Sequence, residues 1–420
     1  MIKEYFQLRK KREKFQNLMV SIGLDSNFYL IEDKPIKNGH ILRVGIPTTS
    51  SYKKFEEKKQ QLESHFKGII EMEHIRFTSI IQMKIITKDI GKYKFEPVKT
   101  YANKLWIGKE FDGTDFFLNL DTEGHLLFGG QSGTGKSFGL AGIMANLIYN
   151  SSDHIEIYLN QTMKGDICAF SKCKCVKATA YTLEEVHCIL KKVAAKVDER
   201  AKLFASLGIK NLTHYIQKTK KSMKRIFFIV EEASFLNNEE CYNEFIKICR
   251  AGRSAGIHLI MLVQRSTLEN LSGELKSQMC CCTTWQRSDI DSRNIIETSE
   301  AKNLEERELY IWGRKGLTLL KMPFIDEDFN DLKKFVPEII TYDDSKEVKE
   351  EVKSKSFKIE SFDVYDDIKL EDYNKITAKK ENIVVNDETS QEITVEAPKK
   401  KRGRRKKGAV IEDVAITTER

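Results

Sequence analysis

Apolar and polar positions change rhythm several times along the chain, and each change predicts an element. Residues 41–46 and 80–86 are short β-rich apolar runs, and residues 51–66 between them are charged and helical in character. That order predicts a small α/β unit over residues 38–100, preceded by a basic helical segment over 1–37. From Leu105 onward, short apolar runs at 125–128, 155–159, 226–230, 257–263 and 280–285 alternate with amphipathic stretches. Such alternation marks βαβ units and a mostly parallel sheet, so 101–335 is expected to form one α/β domain. The clearest helix starts at Thr182, whose side chain can cap the amide three residues on while Glu185 reaches back. Val186, Ile189, Leu190, Val193 and Val197 then recur at helical spacing, which predicts a stripe packed on the sheet. Near Pro337 the large apolar side chains thin out and acidic and basic residues alternate. Residues 336–420 are therefore expected to be a largely disordered tail.

Composition changes this picture little. A chain of 420 residues has room for about two to three domains. Its longest apolar runs fall far short of the roughly 18–20 residues that cross a bilayer, so no transmembrane helix is expected. The opening cations Lys3, Arg9, Lys10, Lys11, Arg12 and Lys14 have no apolar core or cleavage site behind them. A signal peptide is thus not predicted, and a cytoplasmic location is. Nine cysteines, an odd number, cluster at 173 and 175 and at 280–282 without a disulfide framework. No C-x-x-C pair completes a metal site with Cys168, Cys173 and Cys175, so reduced thiols are expected. The net charge of +8 is modest, but residues 399–407 hold eight of their nine positions as Lys or Arg.

The chemistry concentrates in one segment. Residues 125–137 place G-x-x-x-x-G-K-S directly after an apolar strand and before a helical run at 138–149. Gly130, Gly133 and Gly135 let the backbone of Gly130, Gln131, Ser132, Gly133, Thr134, Gly135, Lys136 and Ser137 curl so that its amides face phosphate oxygens. The following helix adds its positive end. Lys136 would reach the β and γ phosphates of ATP, and the Ser137 hydroxyl would ligate Mg²⁺.

A second strand supplies carboxylates. After Ile226–Val230 come Glu231 and Glu232, at the end of the strand where ligands of open α/β sheets bind. Glu231 is expected nearest the metal, as an outer-shell carboxylate, and Glu232 is expected to polarise the attacking water. The next apolar run ends at Gln264, an amide suited to sensing the γ phosphate. Arg250 and Arg253 precede that run, and Arg253 is a candidate arginine finger for a neighbouring subunit. Pairing with surface acids is the plainer alternative for both.

These residues resemble the FtsK/SpoIIIE family of DNA-translocating motor ATPases. Residues 252–265 (GRSAGIHLIMLVQR) look like the family's R-x-x-G-I-H strand running into its T-Q-R-P sensor loop. Asp291, Ser292 and Arg293 match its D-S-R, Lys276 sits where it carries a lysine, and residues 105–113 are similar to its short G-x-x-x-x-G lead-in to the phosphate-loop strand. The segment from Gly208 to Tyr215 also resembles the family's approach to the acidic strand. The likeness covers roughly 38–324 and implies a RecA-like P-loop motor domain, a small α/β domain before it, and a homo-hexameric ring that pumps double-stranded DNA. Departures include Glu231 for the usual aspartate, Asn160 with Lys164 where the family has D-P-K, and Ser266 for proline. Neither membrane helices nor a winged-helix module is evident, which favours transfer or partition of a plasmid, phage or integrative element over chromosome segregation.

A motor that moves along duplex must grip phosphates rather than read sequence. Lys218, Lys220 and Lys221, with Lys224 and Arg225, form one candidate DNA loop. Residues 266–276, ending at Lys276, form another. In the tail, Arg402 and Arg404 flank a glycine and suit an A·T-rich minor groove, although such a cluster also suits an anionic membrane surface. Two other readings stay open: a conjugative coupling ATPase that delivers relaxase-bound DNA to a secretion channel, and a nucleotide-switched DNA-binding scaffold.

Overall fold

The computed structural model describes residues 2–161, 165–232, 239–264, 273–314 and 316–341. Lys164, Arg265, the greater part of the 266–276 loop, and the tail from 342 onward, with Arg402 and Arg404, lie outside them.

The N-terminal unit begins with α1 (Ile2–Ser21), followed by β1 (Tyr29–Ile36), β2 (Gly39–Gly45), α2 (Tyr52–Glu56), α3 (Lys59–Phe66), β3 (Ile69–Ile75) and β4 (Ile80–Ile86). Its four strands form an antiparallel sheet in the order β1-β2-β4-β3. The boundary expected at residue 38 therefore does not separate units. Phe15, Leu18 and Met19 of α1 lie in one core with Phe28, Leu30, Phe55 and Ile81. Sequence pattern missed β1 and β3 because both are edge strands, where Pro35 is tolerated and charged side chains face water.

Four further strands and two helices lead into the larger unit: β5 (Lys104–Glu110), β6 (Asp115–Asn119), α4 (Leu120–Glu123), β7 (His125–Gly129), α5 (Lys136–Ser151) and β8 (Ile155–Asn160). Next come β9 (Val176–Ala180), α6 (Leu183–Ser206), α7 (Leu212–Thr219), β10 (Arg225–Val230), α8 (Glu239–Ala255) and β11 (Ile257–Val263). The unit closes with α9 (Gly273–Ser277), β12 (Met279–Thr283), α10 (Asp289–Ile296), β13 (Glu308–Gly313), β14 (Gly316–Lys321) and α11 (Asn330–Lys333). Ten strands make one sheet in the order β6-β5-β14-β13-β12-β7-β11-β10-β8-β9. The run from β12 to β9 is parallel throughout, and the remaining strands add antiparallel to its β12 edge.

β10 and β11 are buried along their whole length. Continuous apolar strands of this kind need cover on both faces. On one face α5 packs with Phe128, Leu140, Met144 and Phe227. On the other, α6 and α8 cover Leu127, Phe228 and Leu259. Thr182 and Glu185 form the expected capping box of α6, and Val186, Ile189, Leu190, Val193 and Val197 are its buried stripe. The fold extends past the expected start of the tail. Val336 and Ile339 are buried in the α5-side core, Phe335 packs edge-on to Phe95 and Tyr149, and Ile340 N donates to Ala169 O at 2.8 Å. A few well-spaced apolar residues suffice when a preformed groove receives them, which composition does not register. Among the described residues no helix is long and apolar enough to cross a membrane.

At the amino ends of the parallel strands sits a buried polar network. Arg225, the first residue of β10, donates to Asp121 Oδ1 at 2.6 Å, Thr213 Oγ1 at 3.0 Å and His258 Nε2 at 3.0 Å. Since Nε2 accepts from arginine, His258 carries its proton on Nδ1 and donates it to Gly124 O at 2.7 Å. Burial, then the Arg225 charge, pushes the His258 pKa well below its usual value, so the ring is neutral. Burial raises the Asp121 pKa, but the Asn103 hydrogen bond and the Arg225 charge outweigh it and hold the carboxyl below the usual range. Arg225→Ala is expected to destabilise the protein by about 3 kcal/mol, because it strands a half-buried carboxylate and a buried ring. Thermal melts read this loss. A depressed carboxylate contributes stability above its unfolded pKa of about 4 and loses it as pH falls. The gap between variant and wild type should therefore be full at pH 7 and shrink below about pH 4. A constant gap across pH would mean that Asp121 is not the partner that matters.

Candidate nucleotide site

Every element predicted to carry chemistry on the phosphate side ends at the same edge of the sheet. Gly129, the last residue of β7, is level with Val263 of β11 on one side and Thr283 of β12 on the other. Val230 of β10 pairs with Met261 and with Asn160 of β8. Parallel strands lie about 4.8 Å apart, so Glu231 and Glu232 emerge roughly 10 Å from the start of the phosphate loop, with Gln264 on the strand between. A backbone separation of that order leaves room for a gap that would take a phosphate group with a hydrated cation.

The loop is shaped by its glycines where shape is required. Gly130 has φ 147°, and a Cβ there would fall 2.0 Å from Thr284 Oγ1. Gly135 caps α5 at φ 90°, so the chain turns directly into the helix. The first turn of α5 carries no acidic side chain, which leaves its positive end facing the loop. Lys136 is 6% exposed, and its Nζ reaches back to the Gly130 carbonyl. Ser137 is half-buried beside it, and Gln131, Ser132, Gly133 and Thr134 form the open rim.

β12 braces this rim in a way the sequence did not disclose. Thr134 Oγ1 donates to Gln131 O at 2.7 Å and so accepts from Thr284 Oγ1 at 2.6 Å. Gln131 N donates to Trp285 O at 3.3 Å, and its Nε2 lies 3.4 Å from Gln286 Oε1. Gln286 is fully buried and donates to Thr283 Oγ1 at 2.8 Å. Thr284 and Gln286 are thus contacts that sequence reasoning missed. A strand drawn to residue 285 absorbed the polar residues just past its true end, and their polarity was the available signal.

Glu231 and Glu232 are both buried, at 4% and 8% exposure, and Gln264 is half-buried. With Ser137 they offer oxygen donors around the gap, a set that suits Mg²⁺ rather than a thiophilic metal. The glycine cradle, the free helix end and the lysine suit a triphosphate.

Other predicted residues lie elsewhere. Arg253 is exposed at the amino end of β11, donates to Thr122 O at 3.0 Å and lies against Gly124. The seven residues of β11 put it about 20 Å from this chain's own phosphate loop. Lys218, Lys220 and Lys221 are exposed at that same far end, before β10. Arg225 leaves the basic loop, since its guanidinium is committed to Asp121 and His258. Lys276 is half-buried and its Nζ donates to Asn294 O, so it points at α10 rather than outward. The D-S-R residues close a turn: Ser292, fully buried, donates to Thr298 O at 2.5 Å and accepts from Ala301 N at 3.2 Å. In G-I-H, Gly256 at φ 68° admits Leu212 and His258 joins the buried network. These signatures are packing devices of this fold.

Comparison with known proteins agrees with that geometry. The FtsK/SpoIIIE family model matches residues 96–243. The DNA translocase FtsK of Helicobacter pylori strain J99 is 25% identical over 245 residues, covering 55% of this chain and 29% of that protein. The DNA translocase FtsK of Lactococcus lactis subsp. cremoris is 24% identical over 249 residues, covering 54% and 33%. The chain thus spans about a third of the length of these curated relatives. Among solved structures, the monomer form of the pCW3 conjugation coupling protein TcpA with ATPγS superposes with TM-score 0.55 at 17% identity, over 78% of this chain and 99% of that one. ATPases 2 and 3 of EssC from Geobacillus thermodenitrificans superpose with TM-score 0.52 at 14% identity, over 62% and 52%. These likenesses show the fold, a mixed α/β domain with a large, mostly parallel sheet that resembles RecA-like P-loop ATPase neighbours.

Proposed function

We propose, from the FtsK/SpoIIIE family domain that this chain carries at residues 96–243, that it is an ATP-driven translocase of double-stranded DNA working as a homo-oligomeric ring. The observation that carries the reading is the convergence, on one sheet edge, of the phosphate loop, two buried carboxylates and a sensor-placed amide.

The chain's residues divide the work. Loop amides from Gly130 to Ser137 and the Lys136 ammonium hold the β and γ phosphates. Ser137 and Glu231 would hold Mg²⁺, which would neutralise charge developing on the phosphoryl oxygens. Glu232 accepts a hydrogen bond from the attacking water and takes its proton. Gln264, one residue past β11, is placed to sense the γ phosphate. Arg253 serves a neighbouring subunit's nucleotide, because 20 Å separates it from its own. Lys218, Lys220 and Lys221 are DNA contacts. Lys276, with Arg402 and Arg404, contributes if it is released from Asn294.

We place the role in transfer of a mobile element. A fold likeness to the conjugation coupling protein TcpA that spans nearly all of that chain supports this. A relaxase is then the natural partner class, and a coupling ATPase acting on a relaxase-bound strand is the second reading. Steady-state ATPase assays with duplex or single-stranded DNA, paired with triplex displacement, decide between them. Duplex is expected to stimulate turnover about tenfold or more and to support displacement. Stimulation by single strands alone, without displacement, would reject the translocase in favour of coupling.

A further inference from the structure

The edge that carries the nucleotide site also holds two buried amides to which the mechanism above gives no task. Asn160 ends β8 and is fully buried. Its Nδ2 donates to Ile229 O at 2.9 Å and, more distantly, to Tyr158 O at 3.4 Å. Those carbonyls fix the orientation of the amide, because turning it over would set its oxygen against two others. Oδ1 is left as an acceptor to which no group among the described residues donates. Gln161, at 5% exposure, follows it in the chain. Its Oε1 takes the Cys168 thiol, so Nε2 is a donor, and it too has no acceptor among the described residues. Leaving buried amide atoms unpaired is costly. Native chains keep such atoms where a water, an ion or a reacting group completes them.

Position says which group that is. Asn160 pairs with Val230 across the β8–β10 ladder, and Glu231 N donates to Asn160 O at 3.2 Å. The two amides therefore border the strand end that carries Glu231 and Glu232, on the side away from the phosphate loop. The amides and the carboxylate pair thus share one end of the β8–β10 ladder, next to each other along the sheet edge.

We infer that Asn160 and Gln161 are positioning residues for the hydrolytic water, an inference that rests on the ATPase reading above. A water has two protons and two lone pairs. Glu232 takes one proton in a hydrogen bond, Asn160 Oδ1 accepts the other, and Gln161 Nε2 donates to one lone pair. The remaining lone pair is thereby aimed at the γ phosphorus. As the new P–O bond forms, the bond to the leaving diphosphate oxygen breaks and the proton held by Glu232 passes to its carboxylate. Asn160 and Gln161 gain and lose no proton; they restrict orientation, which is where misplacement is costly.

Asn160→Leu and Gln161→Met in the full chain, assayed with duplex DNA, test this. Each keeps the branching of the side chain's heavy atoms or its length and removes the amide, Asn160→Leu at some cost in added volume. A fluorescent ATP analogue should bind both variants as it binds wild type, while kcat falls about tenfold to a hundredfold. A purely structural role would lower thermal stability and leave kcat of the folded fraction alone, and that result overturns the inference. So does a parallel loss of nucleotide affinity, which would make the amides part of the binding pocket. Should Asn160→Leu fail to fold, Gln161→Met, nearly isosteric, reads the same split. Wild-type protein with no turnover above a Lys136→Ala control would instead reject the ATPase reading, and this inference with it.

Discussion

Replacing Lys136 with alanine is expected to cut ATP turnover by about two to three orders of magnitude while leaving the fold as stable as before or slightly more so. The ammonium is buried at the first residue of α5, the positive end of a helix with no acid in its first turn. A cation there is electrostatically unfavourable to the protein alone. Its hydrogen bond to the Gly130 carbonyl is a backbone contact that water can replace. Alanine removes the buried charge and improves helix propensity. Polyphosphate binding, by contrast, loses the only side-chain cation in the loop, so the affinity for ATP should fall together with kcat. Thermal melts and turnover on the same preparations separate the two effects. Retained hydrolysis in this variant would remove the phosphate-loop assignment altogether.

Glu232→Gln should lose turnover with the opposite signature. The substitution preserves shape and buried volume at a position 8% exposed, so the fold and nucleotide binding should survive. What it removes is the carboxylate that accepts the proton, a loss of about 10²- to 10⁴-fold in kcat. ATP then stays bound unhydrolysed, and a ring closed on duplex should dissociate from it more slowly than wild type does. Filter binding in the presence of ATP measures that. Undiminished turnover would transfer the role to Glu231 or to a water held elsewhere. A scaffold that used nucleotide only as a switch would tolerate the change with little loss of function, which keeps the alternative testable.

The contrast between these variants follows from the sheet. Lys136 and Glu232 are almost a hundred positions apart in sequence, yet β7 and β10 bring them to one edge with a single strand between. The order in which strands enter a parallel sheet is fixed by crossover packing, not by any local signal. The sequence could therefore name candidates without showing that Asn160 and Gln161, at the end of β8, border the same carboxylates.

Legibility varied by element for identifiable reasons. The five central strands were readable because burial on both faces forces continuous apolar runs. The long helix after Thr182 was readable because its cap and stripe are local. The hairpin of β5 and β6, and the β13–β14 pair, were not drawn; β6 and β14 are half-buried along most of their length, and β6 carries polar ends. The fold's continuation through Ile339 was hidden by a charged surrounding sequence.

By itself, then, the sequence determined the glycine-rich loop between a strand and a helix, the acidic end of a buried strand and the class of domain. Those depend on residue type at close spacing. Only the tertiary structure decided that Arg225 is a structural cation, that Arg253 and the lysines at 218–221 face away from this chain's own nucleotide site, and that β12 braces the loop through Thr284 and Gln286. Each of these depends on which end of a strand a residue occupies and on what the neighbouring strand presents there. Such information is carried by packing between distant segments and by no segment alone.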